Sequence, residues 1–422
     1  MTLSPKPSAL SALAQQVVER YPALAFPAYR RFWLASFASV GATRLITLGQ
    51  GWLIFELTGS ALQLGILGAA ASLPNIFMTL FGGVVADRFD KRQILRITSA
   101  SIAALLLALA LLDAFELVRV WQVVTIAALI SLITGLDWPA REAIYPKLIA
   151  RPAFMSAVAL NSFTWQATRM AVPALGGILI SLTDTWVVFA LSAAGFAVMF
   201  VVISGIHIEL PKPTTHSAVQ QLQQGLVFIW QTPLFRWLIG LTFVGMFLAN
   251  SYIQILPVFV GLMGSSEQGY GYLLSATGIG SILGTLLVGS LNHDKPLGRY
   301  MFAGTALSVV ALIGFVFATQ YGNFLLAFVA VFFVALCGSV YLVISVTILQ
   351  MRVPDELRGR VMGIHTSGYS LMSLGGLLLG YLAQTTGPGN AVLMTAGLYG
   401  VILLGVWLTR ADLRRIGHQP GQ

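Results

Sequence analysis

The chain alternates long apolar runs with short polar connections. Apolar runs fall at 33–57, 61–86, 94–112, 120–138, 156–182, 186–206, 234–260, 269–291, 299–318, 323–349, 361–386 and 390–409. Most match the roughly 20 residues that an α-helix needs to cross the hydrocarbon layer. They are too long and too little alternating for barrel strands. The pattern predicts an all-α membrane protein of twelve transmembrane helices. The first run follows Arg30-Arg31 and lacks a small-residue cleavage site, so it reads as a retained helix and not a signal peptide.

The expected organisation is a tail at 1–32, a six-helix bundle at 33–206, a linker at 207–233, a second six-helix bundle at 234–409 and a tail from 410 to 422. The linker carries Pro211, Pro213 and the polar run Gln220-Gln221-Leu222-Gln223-Gln224, and it reads as a hinge with a surface helix.

Composition removes the alternatives. Charged residues make up 9% of the 422, where a soluble domain carries about 25%. So few charges cannot cover a soluble surface of this size. The net charge of +9 could signal nucleic acid or anionic lipid. Its distribution decides: 21 of the 24 Lys and Arg lie in the two tails and in the connections on one side of the predicted spans. The opposite side has Arg119 alone, and Arg44 and Arg169 lie inside spans. By the positive-inside rule both termini are expected in the cytoplasm. The basic balance is then a topology signal, and no nucleic-acid partner is expected. The single Cys337 sits in an apolar run and can form no intrachain disulfide.

The halves echo each other. Gly83 with the charged run 87–92 ends span 2, and Gly289 with the run 293–299 ends span 8, 206 residues later. Leu175-Gly176-Gly177 in span 5 recurs as Leu374-Gly375-Gly376 in span 11, 199 residues later. Repeated halves of this kind mark secondary transporters.

The stretch Gly83-Val84-Val85-Ala86-Asp87-Arg88-Phe89-Asp90-Lys91-Arg92 resembles the signature that follows helix 2 in the major facilitator superfamily. Asp90 stands where that signature has its second glycine. Further stretches narrow the resemblance: Trp52 to Ser60 closing span 1, Asp137-Trp138-Pro139-Ala140-Arg141, Ala159-Leu160-Asn161-Ser162, and Arg358-Gly359-Arg360-Val361-Met362-Gly363. Together they look like the drug and siderophore exporter branch, which includes macrolide efflux pumps. The resemblance covers 32 to about 408 and implies two pseudo-symmetric six-helix bundles, the major facilitator fold. One departure weakens the antiport reading. The helix 5 antiporter pattern Gly-Pro-x-x-Gly-Gly appears as Val172-Pro173-Ala174-Leu175-Gly176-Gly177, and Thr168 replaces the upstream glycine.

On this resemblance a conformational latch is expected from Gly83, Asp87, Arg88, Lys91 and Arg92 with Asp137, Arg358 and Arg360. A small glycine lets helices 2 and 11 approach closely. The acid can meet the positive end of helix 11, and the basic cluster can pair with Asp137.

Charges inside a membrane are costly and usually face a cavity. Arg44 is about 16 Å into the first span, near the midplane, and Arg169 about 20 Å into the fifth. They are the first candidates for a positively charged cavity. Brace roles, with each guanidinium bonded to carbonyls or amides, are the alternative. Gln50, Asn75, Gln166, Asn250 and Gln254 are further polar candidates for substrate binding, with Trp165, Tyr341 and Tyr369 as aromatic walls. Glu56 and His365 are the candidate proton carriers, the latter for its titration range.

No phosphate loop, metal-ligand cluster or nucleophile constellation appears. The expectation is therefore a transporter and not an enzyme, with no catalytic residue, cofactor or metal. The resemblance implies proton-coupled efflux of a small amphipathic compound, a siderophore or drug, by a monomer in the bacterial inner membrane. The alternatives are an importer or symporter on the same fold and a non-transporting membrane sensor.

Overall fold

The computed structural model describes residues 18–88, 90–206, 218–291 and 296–416; within these, nothing is said of the side chains of 79–88 and 218–222. Six long helices form the first half: α1 (Pro27–Thr58), α2 (Ala61–Arg88), α3 (Lys91–Ala114), α4 (Val120–Ile144), α5 (Phe154–Leu182) and α6 (Thr185–Gly205). A linker helix, Ala218–Gln231, leads to the second half. There α7 (Pro233–Leu248) continues through a 3₁₀ stretch, Asn250–Ile255, into Leu256–Leu262. It is followed by α8 (Glu267–Gly289), α9 (Leu297–Gln320), α10 (Phe324–Arg352), α11 (Asp355–Thr386) and α12 (Pro388–Thr409).

Ten of these segments are long and apolar enough to cross a membrane, with the broken α7 counted as one. The two that fall short are α5 and α11. They carry Asn161, Trp165, Gln166 and Arg169 in one case, and His365, Ser367, Tyr369 and Ser373 in the other. Their polar positions are what lowers their mean apolarity.

The halves are built alike. In the first, α1 packs on α5 and α6, α2 on α4, and α3 on α4 and α6. In the second, α7 packs on α11 and α12, α8 on α10, and α9 on α10 and α12. Each pairing recurs six helices later. The halves meet mainly through α2 against α11 and α5 against α8.

This interface depends on glycines. A Cβ on Gly65 would stand 2.6 Å from the Gly376 carbonyl oxygen, and one on Gly380 2.5 Å from that of Ala61. On the other side, a Cβ on Gly271 would stand 2.4 Å from the Pro173 oxygen, and one on Gly177 2.6 Å from that of Glu267. These crossings all lie toward the end of the bundle that is poor in Lys and Arg, here the acidic end. Toward the basic end, a Cβ on Gly289, Gly359 or Gly363 would meet nothing within 4 Å. Among the described residues, these backbone-to-backbone glycine contacts between the halves lie toward the acidic end. Ser181 and Gln268 add a hydrogen bond of 2.6 Å across the seal.

Helix α4 runs through Pro139 to Ile144, six residues beyond the expected end of its span. Proline is tolerated in a membrane helix because neighbouring groups satisfy the freed carbonyl. Arg141, expected in a connection, is in consequence buried inside the bundle at 6% exposure.

Candidate functional site

In the first half, α1 carries Arg44 and α5 carries Trp165 and Arg169. Helix α5 turns two faces to its surroundings. Leu160, Thr164 and Thr168 are buried, and Trp33 of α1 donates its indole N–H to the Leu160 carbonyl (3.2 Å) and the Thr164 hydroxyl (3.0 Å). Gly176 packs on Leu45 and Leu48 of α1. This close packing brings Arg44 of α1 over the ring of Trp165, 5.2 Å from its centroid. Trp165 in turn meets Trp138 of α4 edge to face at 4.8 Å. Asn161, Trp165 and Arg169 follow one another at intervals of four, so they share a face of α5.

Arg169 lies where the seal begins, because a Cβ on Gly278 of α8 would stand 2.8 Å from the Arg169 carbonyl oxygen. Its guanidinium is within electrostatic reach of Tyr252 and Tyr369 of the second half and of Arg44. Tyr369 is 51% exposed, while Tyr252 is buried beside Phe315. Among the described residues, no carboxylate lies within 4 Å of Arg44 or Arg169, and the Arg44 Nε is buried without a hydrogen-bond partner. A stack on Trp offsets about 0.5–2 kcal/mol of the cost of partly desolvating a cation.

A third interior guanidinium behaves differently. Arg141 pairs with Asp137 at 3.0 Å and donates to the Ser39 hydroxyl of α1 at 2.8 Å. The other oxygen of Asp137 accepts from Thr98 of α3 at 2.8 Å. This closed network braces α1, α3 and α4. Its i,i+4 spacing was visible in the sequence, but Pro139 suggested a helix end between the partners.

The other expected site residues are dispersed. Gln50 is buried in α1 with its Nε2 unpartnered. Gln166 is half-buried on α5, and Asn75 half-buried on α2. Asn250 caps the break in α7 by donating to the Gly245 carbonyl at 3.3 Å. Gln254 is wedged at the α2–α11 crossing between Gly68 and Gly376 and donates to Ser373 at 2.8 Å; it belongs to the seal. Tyr341 is no cavity wall. It is buried within the second half, where its hydroxyl donates to the Leu238 carbonyl at 2.7 Å. His365 is buried too, its Nε2 3.4 Å from the Thr242 hydroxyl. Glu56 is exposed at the acidic end, within electrostatic reach of Asp113, Asp184 and Glu267. Glu142, not among the expected residues, is half-buried one turn along α4 from Trp138 and accepts from Asn161 at 3.3 Å.

The latch is only partly on view, since the side chains of Gly83, Asp87 and Arg88 lie outside the described residues. Asp90, at the position of the missing glycine, caps α3 by accepting from the Arg92 backbone N–H at 2.8 Å. Lys91 opens that helix. The Arg92 guanidinium donates to the carbonyls of Ile203 (3.1 Å) and Ser204 (2.7 Å), the last turn of α6, and not to Asp137, which Arg141 occupies. Arg358 pairs with Asp355 in an exposed i,i+3 bridge of 2.5 Å, of little energetic weight. Arg360 donates to Gln224 of the linker helix.

Two concavities lie elsewhere: an apolar one of about 310 Å³ lined by Phe243, Phe247 and Leu371, and one of about 410 Å³ between the linker helix and Leu357. Neither touches Arg44 or Arg169. Among the described residues, no cluster of His, Cys, Asp and Glu could hold a metal ion.

Comparison with known proteins agrees with this architecture. The chain is 24% identical over 413 residues to the enterobactin exporter of Escherichia coli, covering 94% of this chain and 95% of that one. It is 23% identical over 360 residues to the staphyloferrin A transporter of Staphylococcus aureus, covering 84% and 89%. Among solved structures, a bacterial homologue of the lysosomal transporter Spinster, inward-facing and unoccupied, superposes with a TM-score of 0.75 at 14% identity, over 93% of this chain and 98% of that one. The nucleoside transporter NupG does so with 0.68 at 16% identity, over 90% and 98%. Residues 19–418 match the model of the transmembrane secretion effector family, and the chain is accordingly a multi-pass inner-membrane member of that family of major facilitator transporters.

Proposed function

We propose that the protein exports a small amphipathic anion by alternating access, with protons as the coupling ion and a monomer as the working unit. One observation carries this reading: two guanidiniums between the halves, Arg44 and Arg169, with no carboxylate within 4 Å among the described residues. A mobile anion supplies the charge that the protein withholds, and Trp165 and Tyr369 supply faces for an aromatic or other flat body. The printed names of two relatives, an enterobactin exporter and a staphyloferrin A transporter, favour a siderophore over an unrelated drug. The excess of Lys and Arg at the basic end supports placing that end in the cytoplasm. The site is then open inward and sealed outward. The latch at 83–92, with Arg358 and Arg360 opposite, belongs to the closing of the basic end.

The test is transport in proteoliposomes with an anionic catecholate or hydroxycarboxylate siderophore. Arg44→Ala and Arg169→Ala are each expected to abolish transport while inserting normally. Undiminished transport by both would defeat the anion reading. Uptake driven inward by an inward proton gradient would instead favour the importer.

A further inference from the structure

The basic end of the second half carries a feature that the transport site does not use. Three arginines there lie over tryptophan rings: Arg236 over Trp230 at 5.3 Å, Arg410 over Trp237 at 4.8 Å and Arg414 over Trp407 at 5.3 Å. The only other such stack among the described residues is that of Arg44 in the cleft. The three come from two neighbouring places, the entry to α7 and the exit of α12, and α7 packs on α12. They therefore form one corner of the bundle.

The corner is short of acceptors. The Arg410 Nε and the Trp237 Nε1 are both buried N–H donors with no hydrogen-bond partner. Among the described residues, none of the three arginines has a carboxylate within 4 Å. Below the corner, toward the middle of α12, Val401, Leu404 and Leu408 are 68%, 56% and 65% exposed, as befits a lipid-facing flank. Trp at the membrane boundary, Arg at the same depth and apolar surface beneath match an amphiphile with an anionic head and acyl chains.

We infer that this corner binds the headgroup of an anionic phospholipid from the leaflet on the basic side, its phosphate oxygens accepting from the partly exposed guanidiniums of Arg236, Arg410 and Arg414. A free anion would gain the same hydrogen bonds but nothing from the apolar flank, so the lipid is the favoured source.

Native mass spectrometry of the purified full-length protein tests this, with phosphatidylglycerol and phosphatidylcholine of identical acyl chains. Phosphatidylglycerol should be retained preferentially. In Arg410→Gln/Arg414→Gln that preference should fall about fivefold for each arginine removed. Arg236→Gln, at the entry to α7, should lower the preference about fivefold on its own, and it serves as the deciding variant where the double variant does not fold. Arg119→Gln, on the opposite end, should leave the preference intact. Equal retention of the two lipids would overturn the proposal, as would a preference unchanged in the corner variants. Competition of inorganic phosphate with phosphatidylglycerol at equal concentration would overturn it too, by making the corner a free-anion site.

Discussion

Gly271→Ala is the smallest change expected to alter which end of the transporter is open. The added Cβ would stand 2.4 Å from the Pro173 carbonyl oxygen and 3.1 Å from the Gly177 Cα, both backbone atoms of the opposite half. No side-chain rotation relieves such a contact. Restoring ordinary separation moves α5 and α8 apart by about 1 Å. Overpacking of this kind costs about 1–3 kcal/mol. The cost falls only on the state in which the acidic ends touch, so the sealed population drops relative to its alternative by about 5- to 150-fold. Ser181→Cys and Gln268→Cys report that population, since the native side chains are hydrogen-bonded across the seal. Cys337, the only native cysteine, is buried and stays silent. Oxidative cross-linking of the pair should slow markedly in the Gly271→Ala background. Gly289→Ala is the control, because its Cβ meets nothing within 4 Å. Cross-linking at the parental rate in Gly271→Ala would refute the argument that backbone contact holds the seal.

Other expectations follow from single contacts. Asp137→Asn leaves the Arg141 guanidinium buried without its counter-charge and should cost about 3–5 kcal/mol, read as a lowered thermal midpoint; an unchanged midpoint would show that the pair does not brace the bundle. Arg92→Gln removes two charged hydrogen bonds from the end of α6, about 1–3 kcal/mol in all, and hydrogen exchange should quicken at 203–206 and not in α9. Asp90→Gly restores the usual motif residue and should cost only a few tenths of a kcal/mol, against about 1 kcal/mol for Asp90→Ala, as measured by denaturant midpoints. Trp165→Ala should weaken substrate binding more than Tyr341→Phe, whose ring lies inside the second half; the reverse order in a binding assay would misplace the site.

Depth was legible in the sequence, and facing was not. Run lengths and the placement of Lys and Arg are one-dimensional signals, so the spans and the isolation of Arg44 and Arg169 emerged from counting. Facing depends on how each helix is rotated against its neighbours, which a hydropathy pattern apolar on all sides does not record. Tyr341, Asn250 and Gln254 were therefore expected in the cleft on depth alone. The structure instead turns Tyr341 into its own half, spends Asn250 on the α7 break and wedges Gln254 into the seal. Arg141 was lost for another reason. Pro139 is a strong terminator in water and a weak one in a bundle where neighbours satisfy the backbone, so Arg141, expected in a connection beyond the span that holds Asp137, stays on the helix and pairs with it.

The charge distribution between the halves bears on how an anion could drive the cycle. Among the described residues, the three interior guanidiniums of Arg44, Arg141 and Arg169 sit in the first half, and one, Arg141, is neutralised by Asp137. At the comparable place between α7, α10 and α11, the second half has the uncharged Thr242, Tyr341 and Ser345 beside His365. On the proposed function, an anion entering from the basic end is attracted by Arg44 and Arg169 of one half and meets the exposed Tyr369 of the other. Arg169, on α5 at the edge of the seal, faces both. With the site empty, closure would withdraw both guanidiniums of the first half from water with no counter-charge beside them, which disfavours it. On the proposed function, an anion between them would remove that cost and make closure at the basic end the less expensive state. Differential stabilisation of this kind is what a bound ligand must provide to shift a two-state equilibrium. A neutral analogue of the same size and aromatic content should accordingly bind through Trp165 and yet fail to promote closure, a difference that spin labels across the basic ends would resolve.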